Sequence, residues 1–400
     1  MKKKRFVLRD EPFGYTLFDR VKMKHKFLAE ADLDKELYFS DVIVKDFEKW
    51  SAELSDAPNE IIYSPIRIYF ELTSGCNLRC KTCFNQSGKI KPNELDTEEV
   101  KNVLEGMRND NILDMRFSGG EVTTRDDWFE LLKYAKDLGF AVSLNTNGVY
   151  SDPETTIDKL ASLDLEQITL SIDGNKEFHD YLRGNGNYDK TIKSLEQLYE
   201  KDAHLRINTI LTKGSDASLE DILSLAGKFV EEINFFYMRP TGRALEVLDQ
   251  ASSYEELYAF DKRIEGFKPN YPQVNILHGS KVMQNNSVDS TLSSNVNLQM
   301  GGPDGFTRFN LLSDGAIWPG GYTPYLRPDF YLGNIKEENY TVLDVWRNSP
   351  ELRKFRKISS ELQKKCLNCS EKNVRCPGAS MEMEFYREKT LNNKNPYCIK

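Results

Sequence analysis

The chain has 400 residues, 39% hydrophobic and 29% charged, a composition that suits two or three packed domains. Lys plus Arg number 54 against 62 Asp plus Glu, and the net charge of -8 excludes the general cationic attraction behind nonspecific nucleic-acid binding. The one dense basic run, residues 2–5, is not followed by an apolar segment, and no stretch approaches the ~20 apolar residues of a membrane span. The expectation is a cytoplasmic protein with neither a membrane nor a nucleic-acid partner.

Residues 1–65 read as an N-terminal extension. Apolar side chains in 5–9 and 15–19 flank a turn at Pro12 and Gly14, which predicts a hairpin, and a helix is expected within 41–54. From residue 66 to 250 the pattern alternates regularly. β-rich runs at 68–72, 114–117, 141–144, 167–171, 205–211 and 233–238 are separated by amphipathic segments such as 96–108, 126–138, 189–200 and 218–231. Strands separated by helices pair in parallel, so the fold class is α/β. A closed eight-stranded barrel takes about 250 residues, more than this alternation spans, and a partial, open barrel of six β/α units fits better.

Residues 251–299 read as a linker region, with an Asn/Ser-rich stretch at 285–297. In 300–400 a small cysteine-rich module is expected. It opens with a hairpin in which 306–312 and 316–318 flank Asp314 and Gly315, a pair whose turn chemistry favours left-handed dihedrals, and a helix follows at 342–348.

Seven cysteines, an odd number without a secretory signal, argue against a disulfide framework. Their positions imply two sites. Cys76, Cys80 and Cys83, spaced C-x3-C-x2-C, follow the first strand of the alternating region at the predicted barrel mouth. Three thiolates can hold three corners of a cubane cluster, whereas a [4Fe-4S] cluster bound wholly by protein needs four, so one iron is left for an outside ligand. The competing readings are a structural zinc site, which wants a fourth ligand that is absent nearby, and three unrelated buried thiols.

The loop resembles the signature of radical S-adenosylmethionine (radical SAM) enzymes, and the resemblance extends over 66–245. It implies a [4Fe-4S] cluster held by Cys76, Cys80 and Cys83 and by S-adenosylmethionine, whose amino and carboxylate groups chelate the open iron. One-electron reduction then cleaves the sulfonium to a 5'-deoxyadenosyl radical that abstracts a substrate hydrogen. Gly119, Gly120 and Glu121 match the family's glycine-rich segment, where close backbone approach to a ligand would explain the glycines. The 144–148 motif with Asn147 and the 171–174 motif with Ser171 and Asp173 match the ends of the next two strands. By the same resemblance Ser171 and Arg183 contact the methionine carboxylate or ribose, and Met238 and Arg239 lie by the adenine. Thr82 stands where many members carry an aromatic residue, so by the resemblance the adenine-stacking contact is either absent or taken by Phe84.

Cys366, Cys369, Cys376 and Cys398 supply four thiolates, whose spacing alone suits zinc as well as a cluster. The arrangement resembles the C-terminal SPASM module of radical SAM enzymes, which implies one auxiliary [4Fe-4S] cluster with four cysteine ligands, serving electron transfer or structure. Met300, Gly320 and Ser380 stand where that module usually has further cysteines, so its inner cluster is expected to be missing. Gly321 replaces the Asp that serves as a base in sulfatase-maturing relatives, which disfavours formylglycine formation. A C-terminal end unlike that of the molybdopterin-precursor enzymes disfavours their reaction too.

Radical enzymes with this module most often alter side chains of ribosomally made peptides or proteins. A maturase is therefore expected, with a separate leader-binding protein and an electron donor such as flavodoxin or ferredoxin as further partners. A small molecule such as a tetrapyrrole is the alternative substrate, and a noncatalytic iron-sulfur or zinc scaffold the alternative class. No catalytic acid or base is assigned. His179, Asp180, Tyr237 and Arg239 fall near the predicted mouth, where a packing or capping role is the commoner one.

Overall fold

The computed structural model describes residues 3–33, 36–40, 42–58, 60–278, 303–337, 340–366, 368–369 and 381. Strands β1 (Phe6–Glu11), β2 (Gly14–Asp19) and β3 (Lys24–Ala29) form an antiparallel meander, so the first hairpin is present. The helix expected within 41–54 is not. That stretch holds β5 (Val42–Ile43), which pairs with β4 (Tyr38–Phe39), and β6 (Glu48–Trp50), which lies parallel to β1. Cross-strand partners outweigh the local helical spacing there.

Period-two alternation splits this sheet into two faces. Phe6, Leu8, Leu17 and Leu28 pack with Phe39 and Val44 in a small core of their own. Val7, Phe18, Phe27 and Trp50 join the main core instead. Buried Arg9 locks the seam. It pairs with Glu11 at 2.6 Å and donates to the Ser64 hydroxyl at 2.9 Å and to the Asn111 carbonyl at 3.0 Å. A fully buried guanidinium needs such partners in full, and the N-terminal sheet is thereby held against the barrel.

The alternating region builds six parallel strands in sequence: β7 (Arg67–Thr73), β8 (Asp114–Gly119), β9 (Ala141–Thr146), β10 (Gln167–Ser171), β11 (Leu205–Leu211) and β12 (Glu232–Tyr237). Between them run α1 (Thr97–Asn109), α2 (Trp128–Leu138), α3 (Pro153–Ser162), α4 (Lys176–Arg183), α5 (Asn187–Glu200) and α6 (Leu219–Phe229). Local chemistry starts them. Asp96 and Glu99 form a reciprocal capping box for α1, Asp152 caps α3 ahead of Pro153, and Asn175 caps α4. Val100, Leu104 and Met107 then give α1 one apolar stripe to lay on the sheet.

Two additions extend this sheet beyond the six expected strands. Residues 251–278, assigned above to a linker, hold α7 (Tyr254–Phe267) and β13 (Asn275–Leu277), which pairs in parallel with β12. Leu257, Phe260 and Ile264 bury against the core, which a solvated connector would not do. Residues 279–302 lie outside the described residues, and with them the Asn/Ser-rich stretch and Met300. At the other edge β14 (Arg308–Leu311) pairs in parallel with β7 and antiparallel with β15 (Ile317–Trp318). The second hairpin is therefore present, and it continues the barrel sheet, whose order is β13-β12-β11-β10-β9-β8-β7-β14-β15.

Helices Val342–Asn348 and Pro350–Lys364 pack on this edge. Trp346 meets Phe309 edge-on at 4.8 Å and donates to the Ile62 carbonyl at 2.8 Å, and buried Arg356 donates to the carbonyls of Gly305 and Trp346. No helix among the described residues is long and apolar enough to cross a membrane.

Along the barrel strands the outward face is mainly apolar and the inward face mainly polar. Ile68, Phe70 and Leu72 of β7 bury outward under the helices, whereas Arg67, Tyr69 and Glu71 face inward. Closed barrels fill their interior with branched aliphatic layers. This lumen is polar, and Ser118, Asn145, Ser171 and Asn208 remain partly accessible in it.

Candidate active site

Directly after β7 the chain forms the loop that carries Cys76, Cys80 and Cys83, all free thiols of intermediate exposure. Its ends are tied together: Cys76 N donates to Gly88 O at 3.3 Å and Gly88 N to Ser74 O at 2.8 Å. Its centre is clasped from outside. Arg243, just past β12, donates from Nε to Cys80 O at 2.9 Å and from Nη1 to Ser87 O at 2.8 Å, and its backbone N donates to Cys83 O at 2.9 Å.

Gly119 and Gly120 explain how the loop meets β8. A Cβ on Gly119 would stand 2.3 Å from Thr73 O, and one on Gly120 would stand 1.9 Å from Gly75 O. Gly119 also takes φ +135°, a conformation that favours glycine. The close approach that the structure shows is between two backbone segments. Gly120 N and Glu121 N complete it by donating to Thr73 O and Gly75 O at 2.7 and 2.8 Å.

Two residues expected to touch the cofactor turn inward. The Glu121 side chain is fully buried and accepts from Asn147 N at 2.7 Å and from the Thr146 and Thr123 hydroxyls. Burial pushes its carboxyl up. Asp173 is equally buried, accepting from Arg183 Nε at 2.6 Å and Ile210 N at 3.0 Å. Both carboxylates spend their oxygens on protein donors, so they position Asn147 and Arg183 and present no free oxygen to a ligand.

Arg183 and Asn147 do face the thiols. Arg183 Nη1 lies 4.0 Å from Cys80 Sγ, and against the cost of burial Asp173 and Cys80 hold its guanidinium firmly charged. Asn147 Nδ2 lies 4.0 Å from Cys76 Sγ, and Leu78 N donates to the same sulfur at 3.4 Å. Ser171, partly accessible, ends β10 at this mouth, and Met238, buried, follows β12. Phe84 packs in an aromatic group, tilted against Tyr322 at 5.3 Å and edge-on to Tyr325 at 6.4 Å.

The remaining polar candidates have ordinary roles. His179 is buried, accepts from Asp173 N through Nδ1, and burial lowers its pKa to about 4. Asp180 accepts from Gly186 N and Tyr188 N, and Arg239 covers the Tyr322 ring at 4.0 Å. Sequence reasoning passed over Arg243, Tyr322 and Tyr325, which complete the site from 240–243 and from the C-terminal module. Their signals were weak: Gly242-Arg243 after the sixth strand, and a Tyr-x-x-Tyr pair after a Gly-Gly turn.

The donor set fits a cluster better than one ion. Burial pushes the Cys76 thiol up to about 11 and raises that of Cys80, so thiolates there require a compensating positive charge. Arg183, Asn147 and the Leu78 amide add donors around the sulfurs, as sulfur-ligated clusters favour. No three Cys, His, Asp or Glu side chains among the described residues close on one point, as ligands of a single ion would, whereas thiolates of separate irons stand farther apart. At the second site Cys366 and Cys369 follow the helix Pro350–Lys364 as free thiols, while Cys376, Ser380 and Cys398 lie outside the described residues.

An open parallel barrel with three thiols at the carboxyl ends of its strands and a second cysteine group beyond it defines an iron-sulfur enzyme class. Residues 70–226 match the Radical SAM superfamily and residues 303–370 the SPASM iron-sulfur cluster-binding domain. Mycofactocin maturase MftC of Mycolicibacterium smegmatis is 28% identical over 350 residues, covering 84% of this chain and 83% of its own. The AdoMet-dependent heme synthase of Methanosarcina barkeri is 32% identical over 349 residues, covering 84% of this chain and 97% of its own. The crystal structure of Streptococcus suis SuiB bound to precursor peptide SuiA shares the fold, with a TM-score of 0.72 at 17% identity over 98% of this chain and 97% of SuiB. The chain belongs to the radical SAM superfamily. It is a radical SAM enzyme whose cofactors are S-adenosylmethionine and [4Fe-4S] clusters.

Proposed function

We propose that this enzyme modifies a residue of a ribosomally made peptide or protein. The observation that carries the reading is the likeness to mycofactocin maturase along 84% of the chain. When bound, the cluster and S-adenosylmethionine supply a 5'-deoxyadenosyl radical that removes hydrogen from the substrate.

The chain's own residues prepare that site. Cys76, Cys80 and Cys83 would hold three irons of the cluster and leave the fourth for the cosubstrate. Gly119 and Gly120, packed on the loop, offer backbone groups to the methionine end, and Arg183 and Ser171 face its carboxylate or the ribose. Phe84 and Met238 flank the adenine. Glu121 and Asp173 hold Asn147 and Arg183 in place. Cys366, Cys369, Cys376 and Cys398 would hold one auxiliary [4Fe-4S] cluster, which would supply an electron-transfer site, with flavodoxin or ferredoxin as the external donor. The N-terminal sheet helps to hold the peptide, or a separate leader-binding protein does that job.

The test is coexpression with each short open reading frame beside the gene, followed by mass spectrometry of the peptide. A mass change that needs intact Cys76, Cys80 and Cys83 supports the reading. The heme synthase relative, at 32% identity, favours a second one in which a tetrapyrrole is the substrate. Faster 5'-deoxyadenosine release with iron-coproporphyrin, and none with any peptide, would decide for it.

Replacing Cys366 or Cys369 with alanine is expected to remove about four irons per chain while leaving part of the S-adenosylmethionine cleavage. Iron analysis and 5'-deoxyadenosine assay check this together. Native product yield without those irons would exclude an electron-transfer role.

A further inference from the structure

Deep in the lumen, four arginines surround one tyrosine. Tyr69 of β7 accepts at its hydroxyl from Arg116 Nη1 at 3.1 Å and from Arg308 Nη1 at 3.5 Å. The guanidinium carbons of Arg308, Arg116 and Arg67 lie 5.0, 5.3 and 5.9 Å from its ring centre. The charges do not balance. Arg67 pairs with Asp114, Arg206 with Glu232 and Arg308 with Asp304, but Arg116 donates only to the Tyr69 and Ser143 hydroxyls among the described residues.

Arg116 is 4% exposed, and a guanidinium buried among neutral partners is costly. The space beside it is not sealed, since Tyr69, Arg67 and Arg308 each stay partly accessible. Tyr69 lies about 13 Å along β7 from Thr73, where the cysteine loop begins.

We propose that Arg116 and Arg308, with Tyr69 between them, form an anion site that binds a carboxylate of the peptide substrate. Arg is the residue of choice for planar carboxylates, and one negative charge restores neutrality to the cluster. A carboxylate anchored there leaves the adjoining part of the same molecule at the mouth, beside the thiol loop. Without ligand, the phenol itself meets part of the demand. Burial opposes its ionisation, yet Arg116, Arg308, Arg67 and Arg206 together bring the Tyr69 pKa down to about 7, with Asp114, Glu232 and Asp304 the nearby carboxylates.

The proposal rests on the peptide reading, and its test needs no turnover, so its failure leaves the radical chemistry untouched. The full-length holoenzyme, labelled with tyrosine carrying carbon-13 at Cζ, is titrated by NMR without S-adenosylmethionine. One resonance should titrate near pH 7 and vanish in Tyr69→Phe. N-acetylglycylglycine should raise that midpoint by roughly one pH unit, because its carboxylate takes the guanidinium groups from the phenolate, and its C-terminal amide should not. Arg308→Gln, less buried than Arg116→Met, should weaken the response. A tyrosine near 7 that the peptide acid leaves unmoved, or no tyrosine below pH 9, overturns the site. A shift with coproporphyrin III and none with the peptide acid overturns the peptide assignment.

Discussion

Alanine at Cys76, Cys80 or Cys83 is expected to lower S-adenosylmethionine cleavage by more than about a hundredfold and to remove about four irons per chain. In the proposed site each thiolate would hold a different iron, and among the described residues the polar groups beside these sulfurs are Arg183, Asn147, Asn77, Asn85 and the Leu78 amide. None of those side chains replaces a thiolate. Burial of Cys76 and Cys80 adds to the effect, because it raises the thiol pKa by more than the Leu78 amide, Arg183 and Arg243 lower it. Anaerobic reduction with dithionite, chromatography of 5'-deoxyadenosine and iron analysis measure the result. Cleavage at the native rate by any one variant would remove that cysteine from the ligand set.

Gly120→Ala is expected to be nearly as damaging without touching a ligand. The new Cβ would stand 1.9 Å from the Gly75 carbonyl oxygen and 2.6 Å from its carbon, and a backbone atom cannot rotate away as a side chain can. Either β8 or the cysteine loop must move, breaking the bonds from Gly120 N and Glu121 N that join them. Overpacking of this kind costs about 1–3 kcal/mol, and here the displaced segment begins one residue before Cys76. Iron content and cleavage should fall at least about tenfold, since ligand misplacement of even 1 Å is costly. Gly106→Ala is the control. It sits in α1 with nothing within 4 Å of its added Cβ and should raise stability by about 0.5–1 kcal/mol. Thermal unfolding of both variants checks the contrast, and a Gly120→Ala protein with native iron content would show that the loop tolerates the shift.

The barrel was legible because its signals are local. The six runs expected as strands are β7 to β12, each with an apolar face and a polar one, and their intervening helices announce themselves by caps such as Asp96 and Asp152. What was not legible depends on distant partners. β13 has three residues and becomes a strand only by joining β12, and β14 pairs with β7 across more than two hundred residues of chain. Residues 41–54 read as a helix by spacing, yet β1 claims part of them. At the site, motifs marked which residues gather but not which way they point. Glu121 and Asp173 stand in the right segments and turn their carboxylates into the protein. Tyr69 and its arginines carry no motif at all, since Arg116, Arg206 and Arg308 lie on other strands and only the pairing of the sheet brings them to β7.

The parallel pairing of β14 with β7 bears on how this protein can be dissected. A chain cut before residue 303 would bare the outer rim of β7, leaving the peptide groups of Arg67, Tyr69 and their neighbours ready to recruit any extended strand. Shortened versions made to isolate the first iron centre would tend to self-associate, whereas the intact chain caps that rim with its own later segment.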